Sequence, residues 1–315
     1  MIELYKLEDL LEKYGINVNK IIDKNNNVLS FGEYYDIDNT VNYLINELKI
    51  SPRNIEKCPS ILYYNVEQIR KNFEFLSEEN ITMSNIETCL HVLSTESNKL
   101  KETYNYVVQN YGIDAVNKFP SILAVEVEKI KSIERFIPGI SHKDVLSIAI
   151  GRNTIEDIQK IINSEEFKAY PELFTSTTLA RSKIEDIQKI INSEEFKAHP
   201  ELFTSQTLAH AKIEDIQKII NSEEFKAHPE LFTSQTLAHA KIEDIQKIIN
   251  SEEFKAYPEL FTSSTLAYAK IEDIQKIINS EEFKAHPELF TSQTLANAKI
   301  EDIQKIINSE EFKAH

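Results

Sequence analysis

Glycine is nearly absent from this chain. Five occur in 315 residues and none follows Gly151, so the second half holds no glycine loop of the kind that cradles phosphate. No stretch alternates apolar and polar residues for long enough to make strands, which leaves an all-α protein as the expectation. Apolar runs of about 18 residues are also missing, so no membrane span is expected. The opening Met1-Ile-Glu-Leu-Tyr-Lys-Leu-Glu-Asp9 is charged and amphipathic, unlike a signal peptide. Cysteine is limited to Cys58 and Cys89, with no CxxC or HExxH pattern, and they read as two core thiols. So few thiols in a chain of this length point to the cytoplasm or another intracellular reducing compartment. There is no nucleophile paired with a base. We therefore expect no enzyme, no cofactor, no metal and no small-molecule substrate. Positive charge is in deficit as well: the net charge is −16, and an acidic surface repels phosphate backbones.

What the chain does have is repetition. Ile155, Ile184, Ile213, Ile242, Ile271 and Ile300 each open a copy of one unit, and the period is 29 residues. Five copies are complete. The sixth stops at His315, one place before its proline, and no polar cap follows, which leads us to expect a fragment. A period of this size marks a stacked array. The second copy carries Ile184, Ile187, Ile190, Ile191, Phe196, Leu202, Phe203 and Leu208. Burying eight such side chains does not offset the entropy of ordering 29 backbones, so neighbouring copies must share a core. The expected fold is a right- or left-handed α-solenoid of tandem helical repeats, about 29–31 residues each.

Each copy reads as two main helices. Asn192 or Ser193 can cap a short one, with Glu194 and Glu195 in its first turn, where the helix dipole favours carboxylates. Pro200 kinks or restarts it, and Thr204 or Ser205 can cap the next segment. Two parses of that segment stay open. An unbroken helix to Ile220 aligns Ala209, Ile213, Ile216 and Ile220 but puts Lys212 in the apolar sector. A break near His210-Ala211-Lys212 avoids this.

The earlier chain carries diverged versions of the unit. The signature is an apolar residue, three places, proline, one place, then two apolar residues. It reads Ile55, Pro59, Ile61-Leu62, then Val116, Pro120, Ile122-Leu123, and in the array Phe196, Pro200, Leu202-Phe203. Ile86, Leu90, Val92-Leu93 keeps the spacing without the proline. Cys58 and Cys89 both sit one place before the proline position. Residues 1–50 read as a helical cap: a first helix with Leu4, Leu7, Leu10, Leu11 and Tyr14 on one face, a stop at Gly15, a turn at Asn25-Asn26-Asn27, and a second helix over 38–48. Residues 51–154 are the diverged repeats and 155–315 the near-identical array.

Eight residues depart from the majority letter, and they fall in four of the 29 places. The first place precedes the proline: Tyr170, His199, His228, Tyr257, His286, His315. The second is Thr177, Gln206, Gln235, Ser264, Gln293. The third is Arg181, His210, His239, Tyr268, Asn297. The fourth is Ser182, then Ala211, Ala240, Ala269 and Ala298. The second and third are four residues apart and share a helix face. Their residue types read base edges or stack on bases; drift at exposed positions is the alternative. A constant lysine ends each copy, Lys183, Lys212, Lys241, Lys270 and Lys299, and can meet a phosphate or pair with Glu185, Asp186 and their equivalents. His199 and His210 do not form a metal ladder, because Tyr or Asn replaces histidine in other copies.

The stretch from Ser51 to Leu76, with Lys57-Cys-Pro-Ser-Ile-Leu62, resembles the mitochondrial transcription termination factor (mTERF) family, as does Lys118-Phe-Pro-Ser-Ile-Leu123. The resemblance covers residues 38–154 and extends more loosely into the array. It implies a curved solenoid that binds nucleic acid, DNA or RNA, along its concave face. The array also resembles the TAL-effector architecture, with near-identical units that differ at a residue pair: Arg181-Ser182, His210-Ala211, Tyr268-Ala269, Asn297-Ala298. Its period is shorter and the glycines after the pair are missing, so no base code carries over. The expectation is a non-enzymatic binding protein that engages nucleic acid through the variable polar residues, with the lysines on phosphates. The alternative is an acidic scaffold for a basic protein. A locally basic concave face favours the first and an acidic, grooved one the second.

Overall fold

The computed structural model describes residues 4–22, 34–307 and 309. The turn expected at Asn25-Asn26-Asn27, and His315 in the pre-proline place, lie outside these. The protein is all-α, an α-solenoid of tandem helical repeats with no strand among the described residues. Among these residues no helix is long and apolar enough to cross a membrane. The chain separates into two compact units, residues 1–150 and 151–315.

In the first unit, helix Leu4–Lys13 stops at Gly15, whose φ of +73° is open to glycine at no cost. The helix expected over 38–48 starts earlier, at Tyr34, and continues past Asn42 as a π-helical turn over Tyr43–Glu47. The diverged repeats follow, each with a short helix, a 3-10 turn and a longer helix: Val66–Glu78, Ser97–Tyr111 and Val127–Phe136. Buried polar side chains tie each level to the next. Thr40 donates to the Tyr64 carbonyl at 3.1 Å, Asn72 to that of Thr95 at 2.6 Å, and Thr103 to that of Val125 at 2.7 Å.

The residue before the proline has the same backbone everywhere. Its φ/ψ is −129°/62° at Cys58, −130°/57° at Phe119 and −136°/55° at His199. Cys89 adopts −133°/52° although Leu90 follows it instead of proline. Packing of the repeat therefore imposes the bend, and proline only favours it.

In the second unit each complete copy has an opening helix, a short helix, a 3-10 turn and a closing helix. In one copy these are Ile213–Ile220, Glu223–Ala227, Pro229–Leu231 and Ser234–His239. The opening helix buries Ile216, Ile219 and Ile220 at helical spacing. Ser193, rather than Asn192, caps the short helix: its Oγ accepts from the Phe196 N–H at 3.1 Å and donates to the Ile190 carbonyl at 2.7 Å. Thr204 caps the closing helix in a reciprocal box with Thr207.

Of the two parses of the following segment, the structure takes the break. Ala211 and Lys212 are extended, with ψ of 155° and 143°, so Lys212 stands in solvent instead of the apolar sector. Copies lock by repetition of the same contacts. Phe225 meets the His199 ring of the preceding copy edge-on at 5.3 Å and its own Phe232 at 5.2 Å. Gln217 donates to Glu195 across copies at 3.4 Å. Neighbouring closing helices approach more closely than neighbouring opening helices, because they meet through Thr207 and Ala209 instead of isoleucines. A stack tighter on one side bends toward that side, which puts the closing helices on the inner face of this unit.

Candidate nucleic-acid interface

The third variable place is the last residue of the closing helix. Arg181, His210, His239, Tyr268 and Asn297 are all exposed there. They form one row along the inner face. The His210 and His239 rings lie 5.2 Å apart and His239 and Tyr268 5.3 Å apart, tilted by 39° and 34°. The rings thus cover one another in part and present their edges outward. Arginine or histidine at this site also faces the negative end of the helix dipole.

One turn earlier runs the second place, with Gln206 and Gln293 exposed and Thr177, Gln235 and Ser264 half-buried. Ser264 Oγ donates to Gln235 Oε1 of the preceding copy at 3.4 Å, so these side chains contact one another across copies.

In the fourth place Ser182 and Ala240 are buried and Ala211, Ala269 and Ala298 half-buried. Ser182 is 5% exposed and donates to the Leu208 carbonyl at 2.9 Å. Its hydroxyl is used inside the stack, which corrects its assignment as a partner-binding residue. The first place is a packing position too. Tyr170, His199, His228 and Tyr257 each set a ring edge-on to the phenylalanine of the next copy at 5.2–5.3 Å. Both His and Tyr offer a planar ring for this contact.

The constant lysines flank the row. Each of Lys183, Lys212, Lys241 and Lys270 is the N-cap residue of the next opening helix and is exposed; Lys299 is exposed in the equivalent place. Among the described residues none forms an ion pair. Of the carboxylates expected to hold them, Asp186 faces Lys189 at 3.9 Å, while Asp157 of the first copy is held by the Thr154 cap, which lowers its pKa, as Lys183 does in small part. A copy with five carboxylates against three lysines thus leaves its unpaired lysine beside the variable row.

Sequence comparison among the copies missed one member. Arg152 lies one period before Arg181 and is exposed, in a bend just past the helix His142–Ile150. Letter identity fails there, since Gly151-Arg-Asn-Thr154 shares no residue with Ala209-His-Ala-Lys212; counting back one period would have found it. His210 reports the electrostatics of the row. Partial burial lowers its pKa, and His239, Arg181 and Arg152 lower it further in that order. Two guanidiniums and a second imidazole thus lie near His210, in a chain that is acidic overall.

The cysteines sit in the first unit. Burial pushes the Cys89 thiol up to about 11, opposed in part by a hydrogen bond with Ser121. Among the described residues no three His, Cys, Asp or Glu side chains cluster to hold a metal ion.

Stacked helical copies with a polar row on their inner face define a helical-repeat binding protein. Residues 8–146 match the mTERF family model, so this segment carries mTERF-type repeats, a family that points to nucleic-acid binding. No curated protein matches the chain.

Proposed function

We propose that the array binds nucleic acid along its closing helices, one copy per nucleotide. The side chains from Arg152 to Asn297 contact bases or phosphates, those from Thr177 to Gln293 support them, and the five unpaired lysines meet the backbone. The observation that carries this reading is the continuous row: His210, His239 and Tyr268 in ring contact, cations at one end, an amide at the other, and a lysine outside any ion pair two residues after each member from Arg181 on. Histidine and tyrosine rings suit unpaired bases, whose faces and edges are open. The mTERF-type repeats of residues 8–146 support the same class of ligand.

Fluorescence anisotropy with randomised single- and double-stranded DNA and RNA pools, titrated with salt, tests it. Binding that weakens steeply as salt rises is the expected result. Changing His210 and His239 together to asparagine should alter base preference at two adjacent positions. No binding to any pool at low salt would reject the reading, and capture of a basic protein by the same face would replace it.

A further inference from the structure

The row begins before the array does. Gly151-Arg152-Asn153 stands outside the near-identical copies, yet a dedicated set of contacts fastens it to the first closing helix. Asn153 is 4% exposed. Its Nδ2 donates to the carbonyls of Leu179 at 2.9 Å and Ser182 at 2.6 Å, and its N–H donates to the carbonyl of Ala180 at 3.2 Å. Carbonyls at a helix end lack partners within the helix, and Asn153 supplies them. A Cβ on Gly151 would meet the Cβ and carbonyl oxygen of Ala180 at 2.5 Å and its Cα at 2.7 Å. Only glycine permits that approach. The two residues together fix Arg152 at the head of the row, next to Arg181.

That placement is unfavourable by itself. Arg152, Arg181, His210 and His239 fill four successive places with fixed or protonatable cations. Among the described residues neither guanidinium has a carboxylate partner. Asp157 is held by the Thr154 cap and Asp186 faces Lys189. The groups acting on His210 are Arg152 and Arg181 on one side and His239 on the other; Lys212, Glu214 and Asp215 follow it in the chain. A cationic cluster fixed by a buried asparagine and a glycine, in a chain of net charge −16, is the arrangement that an oxyanion completes.

We propose that Arg152, Arg181 and His210 form a phosphate-binding site that anchors one end of the bound strand. The neutral residues from Tyr268 to Asn297 then follow along the rest of it. The source of the phosphate as a nucleic-acid backbone rests on the reading above; the oxyanion site itself does not.

Two measurements on the full chain separate them. The first follows the His210 ring by NMR, identified with His210→Asn, while sulfate is added as a phosphate stand-in and chloride at equal ionic strength serves as the control. Sulfate should raise the His210 titration midpoint by about one pH unit, as an opposite charge at contact distance does. The double variant Arg152→Gln/Arg181→Gln should abolish that response while keeping the wild-type circular dichroism and melting temperature, since both side chains are exposed. The second measures strand binding against salt. Each single arginine variant should reduce the slope of log K against log salt by about 0.7–0.9.

A His210 midpoint that sulfate moves no more than chloride does would overturn the site. A sulfate response without strand binding would keep the site and reject the nucleic-acid reading. Strand binding with no sulfate response and an unchanged salt slope in both arginine variants would do the reverse.

Discussion

Replacing Gly151 with alanine should loosen the first closing helix from the segment before it. The new Cβ would sit 2.5 Å from two atoms of Ala180, one of them backbone, and neither partner has a flexible end to move aside. Restoring ordinary contact requires a shift of about 1 Å, since close-packed interiors do not absorb such overlap. The three hydrogen bonds of Asn153, now 2.6–3.2 Å long, would stretch past useful length. At about 0.5–1.5 kcal/mol each, their loss costs about 2–4 kcal/mol. Repeat arrays need not unfold in one step, so the assay is hydrogen exchange, read beside urea unfolding followed by circular dichroism. The Asn153 and Ser182 amides should lose protection while later copies keep theirs. Asn153→Ala should cost a similar amount, and the double variant little more than either, because both act on the same contacts. Wild-type protection at Asn153 in Gly151→Ala would refute the argument.

Three further outcomes follow from the contacts between copies and from the buried groups. Phe225→Ala should destabilise its copy by about 3–5 kcal/mol, whereas His228→Tyr should change stability by less than about 0.5 kcal/mol, since Tyr257 already fills that place on Phe283; a costly His228→Tyr in urea unfolding would contradict the packing role. N-ethylmaleimide at neutral pH should label half-buried Cys58 before Cys89, whose buried thiol is held at about 11, and equal labelling rates in the folded protein would count against that environment. His210 and His91 both titrate below the ordinary 6.5, in each case first because of burial. The fold favours their neutral forms, so they contribute stability that is complete above 6.5 and is lost as pH falls below it; a melting temperature that does not decline on acidification, or that His210→Asn fails to make less pH-dependent, would contradict this sign.

Much of the architecture was legible because it is local and repeated. The period, the isoleucine spacing, the serine and threonine caps and the scarcity of glycine each act within a few residues of themselves. They lead to stacked helices without any knowledge of how the copies touch. The pre-proline spacing also placed Cys58, Cys89 and His199 in one class, and their shared backbone angles bear this out. The break at Ala211-Lys212 was not decidable locally, since both parses have sound helical periodicity. The stack decides it by keeping Lys212 in water.

The candidate surface was legible only as a set of places. Comparing copies identifies where residues vary, but variation has two opposite causes, exposure and tolerance within packing. His239 and His228 are both histidines of one copy; one lies in the exposed row and the other packs on Phe254. Ser182, an alanine in the other copies, donates to the Leu208 carbonyl inside the stack, and Arg152 joins the row although no letter around it matches the array. These distinctions depend on contacts between residues about 29 apart, set by how closely the closing helices approach through Thr207 and Ala209. Periodicity is enough to specify a stacked all-α array and the places where its copies differ. Which of those places face solvent depends on packing between copies and not on the pattern within one.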